Sequence, residues 1–170
     1  MKSLYVFLVL ALAGLLVTGA GSPTPPDSRN FVAVLSGAEE VPARETLARG
    51  TATFQVSADD SEVAYRLIVA NIENVSAAHI HCGVAGVAGP VGVTLFTGAV
   101  ASGGVDGVLS QGTFAGPDAG NACGWADLGA VLAAMRGGNA YVNVHTNDGV
   151  APPNTGAGDF PGGEIRGQVQ

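Results

Sequence analysis

The three histidines of this chain lie in two short segments whose pattern is typical of β-strands. His79 and His81 belong to Ala-His-Ile-His, and His145 ends Tyr-Val-Asn-Val-His. Side chains two residues apart in a strand point to the same face, roughly 6–7 Å apart, so the first two rings can turn toward one ion. A third imidazole joins them if its strand lies beside or across from theirs. Because neutral imidazole is a ligand of both metals, the pattern predicts a copper or zinc site formed by His79, His81 and His145.

A second interpretation of these histidines is a hydrogen-bonded network without a metal. In that network the imidazoles bridge to backbone groups or to Glu164 and Arg166, which share one face of the last predicted strand. Glu164 and Arg166 either orient a histidine ligand from outside the coordination sphere or pair with charges on a neighbouring strand. Asn143 lies on the predicted face of Tyr141 and His145, where its amide either contacts a bound group or satisfies a strand edge.

The first 20 residues have the pattern of a signal peptide. Lys2 precedes an apolar run over residues 4–17, and small residues follow at 18–20. This run is shorter than the about 20 apolar residues that span a bilayer, and an uncleaved anchor is the alternative. Residues 21–30 contain three prolines and are predicted to be a flexible leader, which leaves 31–170 as a single domain. We therefore expect a secreted protein, periplasmic or on the cell exterior, with no membrane span after signal cleavage.

The charge of the chain disfavours two classes of partner. Fourteen acidic residues oppose seven basic ones, which gives a net charge of −7, and Lys2 is the only lysine. Nucleic acids and anionic lipids are bound by basic patches, so neither is an expected ligand. The sequence also lacks the His-Glu-x-x-His, Gly-x-Ser-x-Gly and phosphate-loop signatures. We therefore expect a domain without enzymatic activity that binds an extracellular or cell-surface partner.

The chain has two cysteines, Cys82 and Cys123. In an exported protein an even pair predicts a disulfide, and two free thiols in a reducing compartment are the alternative. Cys82 directly follows His81, so it is expected on the opposite strand face from the two histidines. The bridge would join the end of the histidine strand to the loop near Trp125. In the chain-entropy model, a closed loop of this length contributes roughly 3–4 kcal/mol.

The hydrophobic pattern predicts an all-β domain, an antiparallel Greek-key sandwich or barrel of about eight strands with one short helix. The helix is expected over residues 128–136, with Asp127 as its N-cap and Gly137 at the C′ position. Glu39 and Glu40 are expected in a solvated loop. The predicted strands are 31–35, 50–56, 62–70, 77–81, 91–96, 105–114, 140–145 and 164–169.

Several segments together resemble the CHRD domain, the module named after chordin. The resemblance runs over residues 31–170, and its motifs are Leu-Ser-Gly-Ala-Glu-Glu-Val-Pro at 35–42, Gly-Thr-Ala at 50–52, the strand around Tyr65, Ala-His-Ile-His-Cys-Gly at 78–83, Gly-Pro-Val at 89–91, Gly-Asn-Ala-Tyr-Val-Asn-Val-His-Thr at 138–146 and Pro-Gly-Gly-Glu-Ile-Arg-Gly-Gln at 161–168. In chordin these domains belong to an extracellular protein that antagonises bone morphogenetic proteins. The resemblance implies an exported binding module.

A weaker similarity is to copper/zinc superoxide dismutase, which is also a Greek-key β-barrel with a disulfide and a His-x-His strand. His79 and His81 would stand for that pair. The dismutase site uses more histidines than the three present here, and its zinc loop has an aspartate that the sequence does not reveal. Superoxide chemistry is therefore not expected.

Overall fold

The computed structural model describes residues 28–170, so the predicted signal peptide and most of the predicted leader lie outside the described residues. The described part contains eight strands and one α-helix, and a 3-10 helix at Gly37–Glu39 was not predicted. No helix in this part of the chain has the length and apolar character needed to cross a membrane. The elements are β1 Asn30–Ser36, β2 Arg49–Val56, β3 Val63–Glu73, β4 Val75–Cys82, β5 Val91–Thr97, β6 Gly104–Phe114, α1 Leu128–Arg136, β7 Ala140–Thr146 and β8 Ile165–Gln168.

The strands form one antiparallel sheet in the order β5-β4-β7-β8-β1-β2-β3-β6. Neighbours such as β4 and β7 are not consecutive in the chain, which distinguishes the fold from an up-and-down meander. The two edge strands approach each other, because the hydroxyls of Tyr65 and Ser110 each donate a hydrogen bond of 2.7 Å to the carbonyl of Leu95. The sheet is thus a nearly closed barrel, and the predicted all-β class is confirmed.

The barrel interior is filled by the alternate residues of each strand. In β1, Phe31, Ala33 and Leu35 are buried, whereas Val32 and Val34 are exposed. This period of two places an apolar face of strands such as β1, β2 and β3 in a common core, where each large aliphatic or aromatic side chain contributes about 1.5–3 kcal/mol, while β6 adds only partly buried side chains. The buried face of α1 packs against the same core through Leu128, Val131, Leu132 and Met135.

The helix has the predicted bounds and the predicted N-cap. The Asp127 carboxylate accepts a hydrogen bond of 2.9 Å from the backbone N–H of Ala130. The predicted position of the C′ glycine was wrong by one residue. Gly137 is the C-cap with φ −82°, and the left-handed residue is Gly138 at φ +67°. Gly137 keeps a right-handed φ because its N–H still bonds to the carbonyl of Ala133 within the last turn.

Strand β7 lies between β4 and β8, and it is buried on both faces. Val142 and Val144 point into the barrel core, whereas Tyr141 and Asn143 lie on the outer face. The outer face is buried as well, because loops from both ends of the barrel fold over it. In the sheet register Tyr141 lies opposite His81, and Asn143 lies opposite His79. The candidate site is therefore built on three adjacent strands, on the outside of the barrel wall.

Candidate metal centre

The structure brings the three histidines together on this outer face. His79 and His81 project from β4, and His145 projects from the neighbouring β7. One ring nitrogen from each residue lies within 4.8 Å of the other two, and the ring centroids are 5.0–5.5 Å apart. Within residues 28–170, no other group of three metal-ligating side chains converges in this way. The convergence follows from the antiparallel pairing, which places two histidines of one strand beside a third on the next.

Backbone carbonyls determine the tautomers of two of the histidines. Nδ1 of His81 donates to the carbonyl of Gly89, and Nδ1 of His145 donates to the carbonyl of Pro161, both at 2.9 Å. A carbonyl oxygen only accepts, so each Nδ1 carries the proton in the neutral ring. Each Nε2 then has its lone pair free. This arrangement, with one nitrogen held by a carbonyl and the other free, is that of metal-binding histidines in general.

The two free Nε2 atoms face each other at 3.4 Å. Two neutral imidazoles with this tautomer both present lone pairs, so they cannot hydrogen-bond to each other. Two nitrogens bound at about 2.0–2.1 Å to one tetrahedral ion lie roughly 3.3–3.4 Å apart, which matches the observed separation. The ring of His79 is only half-buried, and its nitrogen completes the group at a looser spacing of up to 4.8 Å. The donor set therefore fits zinc or copper, provided that His79 moves toward the other two.

The three imidazoles are held in the neutral form that a metal ligand needs. Burial, with a smaller contribution from the neighbouring His145, lowers the pKa of His79 to about 4, while Asp118 opposes the shift. Burial also lowers the pKa of His81 to about 4, against the opposing hydrogen bond to Gly89. The pKa of His145 is likewise lowered by burial. Neutral rings at neutral pH exclude an imidazolium that would bridge the two Nε2 atoms by a hydrogen bond.

Asn143 and Arg166 lie beside the histidines, but neither hydrogen-bonds to a ring. Asn143 is opposite His79 in the register, and its buried Oδ1 has no hydrogen-bond partner. The guanidinium of Arg166 stacks over the Tyr141 ring at 3.5 Å from the ring centroid, and it donates to the carbonyl of Val84. The ring of Tyr141 in turn stacks on His81. Arg166 thus packs toward His81 through the tyrosine ring, and its positive charge adds to the lowering of the His81 pKa.

Glu164 does not contact the histidines through a hydrogen bond. Its fully buried carboxylate accepts from the hydroxyls of Thr46 and Thr146 at 2.6 and 2.7 Å and from the N–H of Gly158 at 2.8 Å. These partners belong to two loops and to the end of β7. Because the second loop also carries Pro161, whose carbonyl holds His145, Glu164 supports the site through the backbone.

Glu40 is a site neighbour that the sequence did not reveal. The prediction that it lies in a solvated loop was wrong, because only 7% of the side chain is exposed. It lies against Asn143 and Gly163, where a Cβ at position 163 would come within 2.6 Å of Glu40 Oε1. Desolvation raises the pKa of Glu40 to about 7, and Arg166 and Arg44 only partly oppose this shift. The 3-10 helix at 37–39 explains the burial, since it turns the chain back over the sheet.

The raised pKa predicts that Glu40→Gln stabilises the protein more at pH 8 than at pH 5. Glu40 favours the folded state below the pKa of 4.5 that the carboxyl has when unfolded, and this contribution is lost as the pH rises to about 7. The neutral amide of glutamine avoids this loss of folding stability, which is at most about 3 kcal/mol. Thermal melting at both pH values measures the difference, with the exposed neighbour Glu39→Gln as the matched control. A gain that is equal at both pH values would contradict the assignment.

The predicted disulfide is confirmed. Cys82 and Cys123 are bonded, with Cα atoms 5.8 Å apart, so the cysteine next to His81 takes no part in the histidine cluster. The bridge fastens the 116–125 loop against β4 and β5. In that loop the carboxylate of Asp118 accepts a 2.6 Å hydrogen bond from Thr94, which lies opposite His79 in the register. Asp118 is thereby held on the side of the cluster that β5 borders.

The fold and the cluster define a barrel-like β-domain that carries one three-histidine group on its outer wall. Residues 31–169 match the family model described as the CHRD domain, and the chain belongs to this family, as the motifs in its sequence indicated. A comparison with curated proteins found no match, and a comparison with solved structures found none either. Nothing in these comparisons supports the weaker similarity to superoxide dismutase.

Some of the groups that build the site have no signal in the sequence. The carbonyls of Gly89 and Pro161 are backbone atoms, so their role depends only on where two loops run. Tyr141 shares the predicted face of His145, and strand alternation alone was enough to place it near the site. Glu40 carried no pattern that separates a buried carboxyl from a solvated one.

Proposed function

We propose that this CHRD domain is an exported binding module that holds one zinc or copper ion through His79, His81 and His145. The observation that carries the proposal is the pair of Nε2 atoms facing each other at 3.4 Å while both Nδ1 atoms are engaged by carbonyls. A hydrogen-bonded network without metal gives those two nitrogens no favourable contact. The geometry therefore favours the metal interpretation of the histidines over the network interpretation.

Three protein ligands leave a fourth position on the ion for water or for a group of a partner molecule. When bound, the ion supplies a Lewis-acid centre that a carboxylate or an imidazole of an extracellular partner can ligate. The role of the chain is to hold the three rings neutral and oriented. In this proposal the bound ion is itself the partner-binding site of the module, and no enzymatic turnover is required. Export is supported by the signal-peptide pattern and by the disulfide.

Metal analysis of the mature protein, purified without a histidine tag, tests the proposal. After incubation with zinc or copper and removal of the excess, we expect one ion per chain by elemental analysis. Binding to the folded state alone raises stability by about 2.7 kcal/mol at a free ion concentration of 100 times Kd, so the melting temperature should rise with added metal. A protein that retains no ion, and whose melting temperature ignores both metals, would rule the function out.

The affinity for zinc is predicted to persist to a lower pH than for ordinary histidine ligands. Protons compete with the ion for imidazole only below the pKa of the folded state, which is about 4 for His79 and His81 instead of 6.5. The affinity should therefore be nearly constant from pH 7 to about pH 5 and fall below that. Competition with a chelator of known pH dependence measures the profile. A midpoint near pH 6.5 would show that the rings are not desolvated as described.

A further inference from the structure

Tyr141 has a position that packing alone does not explain. Its ring stacks on the imidazole of His81, with centroids 5.0 Å apart and an interplanar angle of 15°, and only 2% of the residue is exposed. The guanidinium of Arg166 lies over the same tyrosine ring at 3.5 Å. Because β7 lies between β4 and β8, the tyrosine connects a histidine on one neighbouring strand to an arginine on the other. A cation over the face of an aromatic ring is attracted by the ring quadrupole, most strongly where both are desolvated, so the ring is firmly held.

The hydroxyl of Tyr141 holds the backbone of Gly89, whose carbonyl orients His81. It accepts from the N–H of Gly89 at 2.9 Å and donates to the carbonyl of Gly89 at 3.1 Å. That same carbonyl accepts the Nδ1 proton of His81. One side chain therefore contacts both the ring of the histidine and the backbone group that determines its tautomer.

Side chains of β8 also hold the loop that carries Gly89. Arg166 donates to the carbonyl of Val84, and Gln168 donates to the carbonyl of Gly83, each at 2.9 Å. Position 89 itself tolerates no side chain, because a Cβ there would overlap the carbonyl of Cys82. The loop thus approaches the sheet closely, and its hydrogen bond with His81 is made by the Gly89 carbonyl that Tyr141 also contacts.

We propose that Tyr141 is a positioning residue of the metal site, which keeps His81 in the Nδ1-protonated tautomer with Nε2 directed at the ion. Arg166 acts on the site through the ring of this tyrosine. The proposal rests on the proposed metal-binding function and names a residue on which its affinity depends. Groups that orient a metal-bound histidine typically change metal affinity by 10–100-fold when they are removed.

Tyr141→Phe tests the role of the hydroxyl, because it keeps the ring stack and removes only the contact with Gly89. The matched control is Tyr65→Phe, which also removes a tyrosine hydroxyl from a backbone carbonyl, that of Leu95 at the seam where the edge strands β5 and β6 approach each other. We expect Tyr141→Phe to lower the zinc affinity by about 10–100-fold and Tyr65→Phe to leave it unchanged. Equal affinities of Tyr141→Phe and wild type would overturn the proposal.

Nitrogen-15 NMR of the metal-free proteins gives a second measurement that does not depend on metal binding. In the wild type and in Tyr65→Phe, His81 is expected as the Nδ1–H tautomer alone. In Tyr141→Phe the Nε2–H tautomer should become populated. An unchanged single tautomer in Tyr141→Phe would reduce Tyr141 to a packing residue, whatever the metal affinity of the wild type.

These two readouts separate the failure of this inference from the failure of the proposed function. If the wild type binds no metal, the metal function is contradicted. If His81 nevertheless loses its tautomer preference in Tyr141→Phe, the positioning role of Tyr141 is kept. A wild type that binds metal with the same affinity and tautomer as Tyr141→Phe contradicts only the role of Tyr141. If Tyr141→Phe does not fold, zinc titration of the wild type decides, since the ring resonances of Tyr141 should shift and those of Tyr65 should not; equal shifts overturn the proposal.

Discussion

Replacing His81 by alanine is expected to abolish stoichiometric zinc and copper binding, with a loss of affinity greater than the 10–100-fold that an orienting group contributes. The substitution removes one of the two Nε2 atoms that face each other at 3.4 Å, and it leaves at most two protein ligands. His145→Ala should have the same effect, because it removes the other atom of the pair. Isothermal titration with each metal, together with the melting temperature at saturating metal, measures the loss.

The control for these substitutions is Arg66→Ala, an exposed side chain on β3, in the other half of the same sheet. It should bind metal as the wild type does. The far-ultraviolet circular dichroism of both histidine variants should also match the wild type without metal, since the cluster lies outside the apolar core. If His81→Ala still bound one ion with unchanged affinity, the ion would be elsewhere and the three-histidine site would be refuted.

Glu164→Ala is expected to lower the free energy of unfolding by about 3–5 kcal/mol. The carboxylate accepts three hydrogen bonds in a fully buried place, and its removal leaves the donor groups of two hydroxyls and one backbone N–H without an acceptor. Hydrogen bonds to a charged group contribute about 1.5–3 kcal/mol each and do not add fully, which sets this range. At about 2–4 °C per kcal/mol, the melting temperature should fall by roughly 10 °C.

The matched control is Glu62→Ala, an exposed carboxylate in the turn between β2 and β3, which should change the stability by less than about 0.5 kcal/mol. Glu164→Ala should also weaken zinc binding, because the loop that it anchors carries the carbonyl of Pro161. A variant that melts at the wild-type temperature would show that the two loops are held by other contacts.

The strand pattern made much of the fold predictable. Eight strands were predicted and eight are found in the described residues, and Asp127 was recognisable as an N-cap because the residue type and the following apolar spacing agree. Strands β3 and β4 are longer than predicted: β3 continues through Asn71 to Glu73, and β4 begins directly after Asn74. These two asparagines adopt φ of +53° and +56°. Asparagine tolerates the left-handed region, so these residues permit sharp backbone changes without the glycines that usually indicate them.

The contacts made by the polar residues near the end of the chain were less predictable than the strand face on which they lie. Glu164, Arg166 and Gln168 share one face as expected, yet their contacts differ completely. Glu164 holds two loops, Arg166 stacks on Tyr141, and the amide nitrogen of Gln168 lies 2.8–2.9 Å from three carbonyl oxygens. Alternation specifies a face of a strand, but it does not specify which loop covers that face.

Residue types and their spacing alone placed two imidazoles on one side of a strand and predicted that the two cysteines form a disulfide. Whether the third imidazole joins them depended on β4 and β7 being neighbours, although 57 residues separate the ends of these strands in the chain. Only the folded barrel could decide this, because strand adjacency results from burying all the apolar faces at once. The carbonyls that orient the rings belong to the same category, since every residue has one and tertiary structure alone selects which of them meets a histidine.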